Sequence, residues 1–529
     1  MANLLSYNQT HLFGSDVLFS DFLEPKDMCM IIKNEISPLI KDSDFEDMYK
    51  DGGRPPISPR ILALTLLMQF LEKLSDRAAS FNLKFRLDWK IAFGLPLDFQ
   101  GIHPTTLVYF RDRLIKSEKC SHVFDQIIEH LKSCGLIKKN GKQRIDSTHI
   151  IGCVRELSRI ELFHETIRLF FSDISDLGLN MGIQQASYER YIDPIATFGI
   201  TDVQKQEMIQ TAGLAMKSLI CWVESLPSLK SLNSYRSFTT LKVVFAQNFT
   251  ELSHETPPKM IPISTGKGHI SSPHDPEAEY ANKGKKGWIG YKGQVVETVN
   301  EPNSGIQNFI THIEIEEATN YDGDCVASII SELSTKEISP AELYGDTHYN
   351  STDNIETLAD ISIEMKGPVQ APTREKIEKD LGFKVDLENE CVICPMGFES
   401  KHFKIFIGEK RMGASFPKEA CKNCERRDVC KPEPRGKIYK HNIENKTLAE
   451  RREKLKDPEY LIDLHHRNGI EGTLSGLVRG QAWRRCRYRG KNKTQLQAKF
   501  SGAAANINRL YRQRHHERHN ELKTARQAA

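Results

Sequence analysis

Two aspartates in similar sequence contexts are the first candidates for chemistry. Asp146 lies in "KQRIDSTHI" and Asp346 in "LYGDTHYNS", and each follows a short run with strand character and precedes a threonine and a histidine. An aspartate inside a strand is disfavoured because its side chain loses hydration when it is buried. We therefore expect both aspartates at strand ends, where they could converge around a cation that offsets their repulsion. The alternative for Asp146 is a strand-end aspartate that caps a turn.

Glu471 is the third candidate carboxylate, and it is the lone acid in "HHRNGIEGTLSGLVRGQAWRRCRYRG". On a helix, Arg467 and Glu471 would face the same side, and Leu474, Leu477 and Val478 would form an apolar stripe that docks on a sheet. Three carboxylates could hold Mg²⁺ ions that activate an attacking oxygen and stabilise a leaving oxygen in phosphoryl transfer. The alternative for Arg467 and Glu471 is a surface ion pair.

A cysteine cluster precedes this glutamate, in "CVICPMGFES" and "CKNCERRDVCKPEPRGK". Cys421 and Cys424 form a CxxC pair, Cys430 follows, and either Cys391 or Cys394 could complete a tetrahedral thiolate site for zinc. Such a zinc would be structural, because four thiolates leave no open position for chemistry. The alternative is a loop of reduced cysteines. Twelve cysteines in 529 residues are too few for a disulfide scaffold.

The formal net charge of +3 hides a strongly basic end. From Arg479 onward the only acidic residues are Glu517 and Glu521, and aromatic residues are interleaved with the basic ones. This pattern predicts a polyanionic partner, most simply nucleic acid, although a solubilising tail is the alternative. The predicted DNA-contacting residues of this end are Arg479, Arg484, Arg485, Arg487 and Arg489. We expect the helix of Glu471 to continue through "GLVRGQAWRRCRYRG" and to carry these arginines.

The elements that must position these residues are of two kinds. Apolar residues at helical spacing predict helices from about 25 to 135 and again from about 155 to 255. Alternating, β-branched runs in "WIGYKGQVVETVN" and "NFITHIEIEEA" predict a hairpin around "EPNSG". Further helices and strands follow, which indicates a mixed α/β sheet. There is no apolar run of membrane-spanning length and no secretory signal, so we expect a cytoplasmic protein without membrane contact.

The order of "RIDSTHI", "WIGYKGQVV", "LYGDTHYNS", "RNGIEGTLSGLVRG" and "SGAAANINRL" resembles a bacterial insertion-sequence transposase of the DDE class. Upstream, "GGRPPISPRILALTLLMQFLEKLSDRAAS" and "HPTTLVYFRDRL" resemble the helical domain of many such transposases. The resemblance implies the ribonuclease H-like fold of the retroviral integrase superfamily, with a mixed sheet flanked by helices. It adds an all-α N-terminal domain, a helical insertion after the first core strand and a small cysteine-rich insert.

By this resemblance Asp146, Asp346 and Glu471 are the catalytic carboxylates, which bind Mg²⁺ or Mn²⁺, and Arg467 is the family's accompanying basic residue. The family often has a tyrosine three residues before this arginine and a lysine seven residues after the glutamate, where this sequence has Leu464 and Val478. Related transposases also have a cysteine followed by proline and glycine, which favours Cys394 over Cys391 as the zinc ligand.

The resulting prediction is a transposase that cleaves and joins double-stranded DNA at the terminal inverted repeats of its element, as a homo-oligomer in the bacterial nucleoid. The alternatives are a domesticated, non-catalytic DNA-binding regulator and a hydrolytic nuclease of the same fold. The predicted domains are the N-terminal helices (1–137), the first core strand (138–154), the helical insertion (155–265), the remaining sheet (266–385), the cysteine-rich insert (386–440), and the glutamate helix with the basic end (441–529).

Overall fold

The computed structural model describes residues 23–49, 57–179, 182–195, 199–250, 258–262, 266–284, 286–370, 382–386, 389–400, 402–406, 411–432, 436–442 and 446–528. The chain forms two compact units, a first unit of Met1–Glu342 with Asn468–Ala529 and a second unit of Leu343–Arg467. Within the described residues, every helix is too short or too polar to cross a membrane.

Helices open the first unit. They are α1 (Met28–Ile31), α2 (Pro59–Leu71), α3 (Asp76–Phe85), α4 (Leu87–Phe93), α5 (Pro104–Lys116) and α6 (His122–Ser133), with a π-helical turn at Ile32–Ile36 and 3₁₀ turns at Ser37–Leu39 and Asp42–Met48. The start of α2 is fixed by Ser58, whose hydroxyl accepts a hydrogen bond from the Ile61 N–H, and by a proline at the first helical position. Almost every residue of α2 is buried, so α2 is a core helix.

Strand β1 (Lys142–Ile151) is followed by helices before its neighbouring strand appears. These are α7 (Arg159–Asp176), α8 (Gln185–Tyr191), α9 (Asp202–Ser225) and α10 (Arg236–Asn248), with 3₁₀ turns at Gly182–Gln184 and Pro227–Ser234 and a short ladder of β2 (Phe249–Thr250) and β3 (Lys259–Met260). Capping boxes at Ser158 and Thr201 fix the starts of α7 and α9. The helices share a hydrophobic cluster of their own, which includes Phe163, Phe170, Leu219, Phe238 and Leu241.

The sheet of the first unit is built around one long strand. After β4 (Glu279–Lys283) comes β5 (Lys286–Val299), and after a 3₁₀ turn at Pro302–Ser304 comes β6 (Ile310–Glu317). β5 pairs antiparallel with β1, β4 and β6, and the β5–β6 hairpin is the predicted one. In register, Asp146 faces Val295, and Val295 faces Ile313. Because side chains alternate along strands, Asp146 and Ile313 lie on one face of the sheet and His312 on the other.

The prediction of a strand end at Asp146 was wrong. Asp146 is the fifth of ten residues in β1, and the strand continues to Ile151. The polar side chain is tolerated there because it is only half-buried, and its Oδ1 accepts a hydrogen bond of 2.7 Å from the Ser147 N–H.

A 3₁₀ turn at Asp322–Cys325 and α11 (Val326–Thr335) precede the entry into the second unit at β7 (Glu342–Tyr344). The second unit continues with α12 (Thr352–Asp360), β8 (Glu364–Lys366), β9 (Lys384–Asp386), β10 (Cys391–Ile393), β11 (His402–Phe406), β12 (Arg411–Ser415), α13 (Lys418–Lys422), α14 (Arg427–Cys430), β13 (Ile438–Asn442), α15 (Lys446–Lys454), α16 (Pro458–Asp463) and a 3₁₀ turn at Leu464–Gly469. β9 pairs with β10, and β12 lies between β11 and β13.

Two helices return the chain to the first unit, α17 (Ile470–Gly480) and α18 (Lys491–Ala528). α18 runs along the edge of β6. The Asn506 side chain bonds both the N–H and the carbonyl of Ile310, and the Gln495 side chain accepts a hydrogen bond from the Ile315 N–H. α18 therefore satisfies backbone groups that an open sheet edge would expose. The result is a mixed α/β architecture with many helices.

Candidate active site and metal centres

A buried glutamate organises the face of the sheet on which Asp146 lies. Glu297, on β5, is fully buried. Its Oε1 accepts a hydrogen bond of 2.7 Å from Arg144, and its Oε2 accepts hydrogen bonds from Thr473 (2.6 Å) and Arg509 (2.9 Å). A buried carboxylate is tolerated when its charge is paired and its lone pairs are bonded in this way. The cluster joins β1, β5, α17 and α18.

This cluster positions two of the candidate carboxylates. Arg144 precedes Asp146 by two residues and therefore lies on the same face of β1, and Thr473 follows Glu471 by two residues on α17. At Gly469, a Cβ atom would lie 2.0 Å from a guanidinium nitrogen of Arg144, so only glycine allows this approach at the start of α17. Asp146 and the helix of Glu471 thus share one face of the sheet.

The two carboxylates differ in exposure. Asp146 is half-buried, whereas Glu471 is exposed in the first turn of α17. Among the described residues Glu471 has no hydrogen-bond or ion-pair partner, so its oxygens are available to a ligand. The sequence analysis did not identify Glu297, Thr473 or Arg509 as positioning residues. The acid in the apolar run "GQVVETVN" was the signal that could have found Glu297.

Asp346 belongs to the second unit, two residues after β7 ends. One carboxylate oxygen accepts a hydrogen bond of 2.8 Å from the His348 N–H. The buried Asn350 side chain donates to the Asp346 carbonyl at 2.9 Å, which fixes the loop. On the preceding strand, the Tyr344 hydroxyl donates to Asp463 at 2.9 Å. The strand-end position predicted for Asp346 is therefore confirmed.

The segment between α17 and α18 is not the continuous helix that the sequence suggested. α17 ends at Gly480, and Ala482 adopts a left-handed conformation with φ of 54°. The chain then extends alongside the end of β1, where the Ile151 N–H donates to the Arg484 carbonyl at 2.9 Å. Trp483 is fully buried against Gly293. Burial of this indole and pairing with β1 override the helical pattern.

The arginines predicted to contact DNA fall into two groups. The first group contacts protein. Arg484 donates to the Thr148 hydroxyl (3.1 Å) and to the His149 carbonyl (2.6 Å). Arg487 donates to the Leu74 carbonyl and lies over the Phe70 ring, and Arg489 bonds the Cys153 carbonyl and His274. By contrast, Arg479 and Arg485 are exposed, and their guanidinium groups have no partner among the described residues. Arg467 is partly exposed and lies in the 3₁₀ turn before α17.

In the second unit, four cysteines line a single pocket. They are Cys394, Cys421, Cys424 and Cys430, and Phe383 and Phe416 supply apolar walls. Burial raises the pKa of the Cys430 thiol, and nearby Cys424 and Cys394 add smaller effects of the same sign. Cys391 does not line the pocket, although it lies on β10 only three residues before Cys394. The four cysteines that the sequence analysis favoured thus line one pocket.

Two family models match the sequence. A transposase DDE domain matches residues 393–511, and a transposase domain (DUF772) matches residues 19–113. The chain is a DDE-type transposase. The resemblance in the sequence is thereby confirmed, and the protein is an enzyme that cleaves and transfers DNA strands. Membership of this class implies the use of a divalent metal ion. The DDE match contains Glu471 and the four pocket cysteines and begins after both aspartates.

No curated protein matches the sequence. Among solved structures, the cryo-EM structure of a piggyBac transposase synaptic complex with hairpin DNA matches with 12% identity and a TM-score of 0.29. The match covers 94% of this chain and 76% of the piggyBac chain. A TM-score this low does not establish a shared fold.

Proposed function

We propose that this transposase cleaves DNA at the terminal inverted repeats of its own insertion sequence and joins the freed 3′ hydroxyl to target DNA. The proposal assigns Asp146, Asp346 and Glu471 as the catalytic carboxylates of a ribonuclease H-like core. The observation that carries it is the Glu297 cluster, which holds β1 and α17 so that Asp146 and the helix of Glu471 share one face of the sheet.

The donor set fits Mg²⁺ or Mn²⁺. All three residues offer carboxylate oxygens, the ligands that these hard cations prefer. Glu471 is exposed and Asp146 is half-buried, which leaves room for coordinated water and phosphate. Divalent ions in such a site supply Lewis acidity that activates the attacking oxygen and stabilises the leaving one.

The chain itself positions these ligands and the DNA. Arg144 and Thr473 anchor β1 and α17 through Glu297, and Arg484 holds the end of β1 through Thr148 and His149. Arg479 and Arg485 have no protein partner among the described residues, so we assign them, with Arg467, to phosphates of the bound duplex. Arg484, Arg487 and Arg489 contact protein groups, and we assign them a supporting role at the same surface.

We also propose that Cys394, Cys421, Cys424 and Cys430 bind one structural Zn²⁺ in the cysteine-rich insert. Four thiolates in one pocket match the ligand set of closed zinc sites. We further propose that the enzyme acts at the nucleoid, where its DNA substrate lies, and that it holds the two ends of the element as a homo-oligomer. A nuclease of the same fold would cleave without strand transfer, and a domesticated regulator would bind without cleaving.

The test is a strand-cleavage and strand-transfer assay on DNA that carries the ends of the element encoding this chain. We expect Asp146→Asn, Asp346→Asn and Glu471→Gln each to lower cleavage by several orders of magnitude while DNA binding stays nearly intact, because the ligands act as a unit. Asp360→Asn, on the exposed surface of α12, is the matched control and should cleave normally. Metal-dependent cleavage by the Asp346→Asn variant would overturn the assignment, and cleavage without joining by the wild type would favour the nuclease.

A further inference from the structure

The face of the sheet opposite Asp146 carries a second cluster of metal-ligating side chains. His312, Glu314 and Glu316 alternate along β6 and therefore project from one face. His312 pairs with Val296, whereas Asp146 pairs with the neighbouring residue, Val295. Because successive side chains of a strand point to opposite faces, His312 and Asp146 lie on opposite faces of the sheet. Glu332, on α11, completes the cluster on this side.

The imidazole lies between two carboxylates without a hydrogen bond. His312 is fully buried, with its Nδ1 3.2 Å from an oxygen of Glu332 and its Nε2 3.4 Å from an oxygen of Glu314. Neither ring nitrogen forms a hydrogen bond with a described residue, and Glu314 Oε1 is likewise buried without one. One ligand atom from each of these three residues lies within 4.8 Å of the other two. Glu314, Glu316 and Cys325 form an adjoining group of three potential ligands with the same spacing.

The charges around the cluster favour a cation. Its acidic residues are Glu314, Glu316, Glu332, Asp322 and Asp125, and its lysines are Lys292, Lys336 and Lys499. Lys292 pairs with Asp322 at 3.0 Å, and Lys336 pairs with Asp125 at 2.7 Å. The acidic groups thus outnumber the lysines by five to three, and a bound cation would offset this excess.

The buried ring can be reached from solvent. The Glu332 side chain is half-exposed, which gives an ion a route to His312. Cys325 belongs to the adjoining group with Glu314 and Glu316 and not to the group that contains His312.

We propose that His312, Glu314 and Glu332 bind a divalent transition-metal ion such as Zn²⁺, at a site separate from the catalytic carboxylates and from the cysteine pocket. An imidazole with two carboxylates is a ligand set for zinc-like ions rather than for Mg²⁺, which prefers oxygen ligands alone. The ion would tie β6 to α11 on the face of the sheet that the Glu297 cluster does not support. This proposal is independent of the assignment of Asp146, Asp346 and Glu471.

The experiment is equilibrium dialysis of full-length protein against Zn²⁺, with the bound metal counted per chain. We expect His312→Gln/Glu314→Gln to bind one zinc fewer than the wild type. His519→Gln/Glu521→Gln is the matched control, because it removes the same two residue types at the same spacing from an exposed part of α18. Cys421→Ser/Cys424→Ser should lower the count separately, which distinguishes this site from the cysteine pocket.

A second variant keeps the proposal testable if the double substitution disturbs the buried core. Glu332→Gln changes a half-exposed side chain and should fold, and we expect it to weaken Zn²⁺ binding at this site by about tenfold or more. An unchanged zinc count in a folded double variant, or unchanged affinity in Glu332→Gln, would overturn the proposal and leave His312 as a buried side chain that only pairs with two carboxylates. A wild-type chain whose zinc is lost entirely in Cys421→Ser/Cys424→Ser would overturn the proposal as well.

Discussion

The Thr473 hydroxyl donates a hydrogen bond of 2.6 Å to Glu297, and this contact joins the helix of Glu471 to the strand beside that of Asp146. The same hydroxyl accepts a hydrogen bond of 2.6 Å from Arg509. The Thr473 hydroxyl therefore donates to one charged side chain, Glu297, and accepts from another, Arg509. A side chain of the same shape without the hydroxyl could do neither.

Replacing Thr473 with valine should destabilise the protein by about 1–3 kcal/mol, because it removes one of the two hydrogen bonds to a buried carboxylate oxygen of Glu297 and the acceptor of an Arg509 N–H. Urea unfolding measures this change. Thr473→Ser should retain most of the stability. Thr524→Val is the matched control, since that hydroxyl bonds only a carbonyl of its own exposed helix. If Thr473→Val unfolded at the same urea concentration as the wild type, the network would have no role in holding α17.

The cysteine pocket predicts a difference between two cysteines that lie close together in sequence. Cys394 lines the pocket and Cys391 does not. Metal analysis of purified protein should therefore find that Cys394→Ser loses the zinc held by Cys421, Cys424 and Cys430, whereas Cys391→Ser keeps it. Loss of one of four thiolates opens a structural site, and the fold around it should loosen. The opposite pattern would transfer the fourth ligand to Cys391.

An acid-sensitive contact ties the N-terminal helices to α18. Although burial acts in the opposite direction, hydrogen bonds and charges from His130 and Arg514 lower the pKa of Glu35 to about 2. The folded-state pKa is thus below the unfolded value of about 4.5, so the ionised carboxylate stabilises the fold above pH 4.5. This contribution is lost progressively as the pH falls from about 4.5 to about 2.

Glu35→Gln should accordingly lower the free energy of unfolding by roughly 2 kcal/mol at pH 6. This value is smaller than the full pKa shift would give, because the Glu35 side chain is partly exposed to solvent. The difference from the wild type should shrink as the pH is lowered toward 2. Denaturant unfolding at a series of pH values measures it. Glu453→Gln, which removes an exposed pair with Lys456, should follow the wild-type curve. A difference that stayed constant with pH would mean that Glu35 acts by packing rather than by charge.

Local patterns predicted most of the elements correctly. The helices of the N-terminal part, the helices after β1 and the β5–β6 hairpin depend on periodicity, capping residues and turn residues that lie within a few positions of one another. The prediction that Asp346 lies at a strand end was also correct, because residues that favour turns, Gly345 and Asn350, lie within a few positions of it.

The errors arose where distant contacts decide the local structure. Asp146 remains inside β1 because β5 pairs with the strand through Ile151, and the arginine-rich segment leaves the helix because Trp483 is buried at Gly293. The Glu297 cluster joins residues from four elements separated by up to several hundred positions, and periodicity in a single sequence gives no measure of such pairing. These are cases in which tertiary contacts override local propensity.

The arginines after α17 allow phosphate contacts to be separated from structural ones. Arg479 and Arg485 are exposed and have no guanidinium partner among the described residues, whereas Arg484 holds Thr148 and His149 of β1. Phosphate contacts position DNA without reading its sequence. We therefore expect Arg479→Gln and Arg485→Gln each to weaken binding to element ends and to unrelated DNA by similar factors, without a change in stability.

The salt dependence of binding gives the decisive measurement. Each lost phosphate contact should flatten the slope of log affinity against log salt concentration by about one unit. Arg484→Gln is the contrasting variant, and it should lower the free energy of unfolding because it removes hydrogen bonds to β1, with a smaller effect on the slope. If Arg479→Gln and Arg485→Gln left both the affinity for unrelated DNA and the salt slope unchanged, these arginines would be a solvated surface, and the phosphate contacts would have to come from other basic residues of the chain.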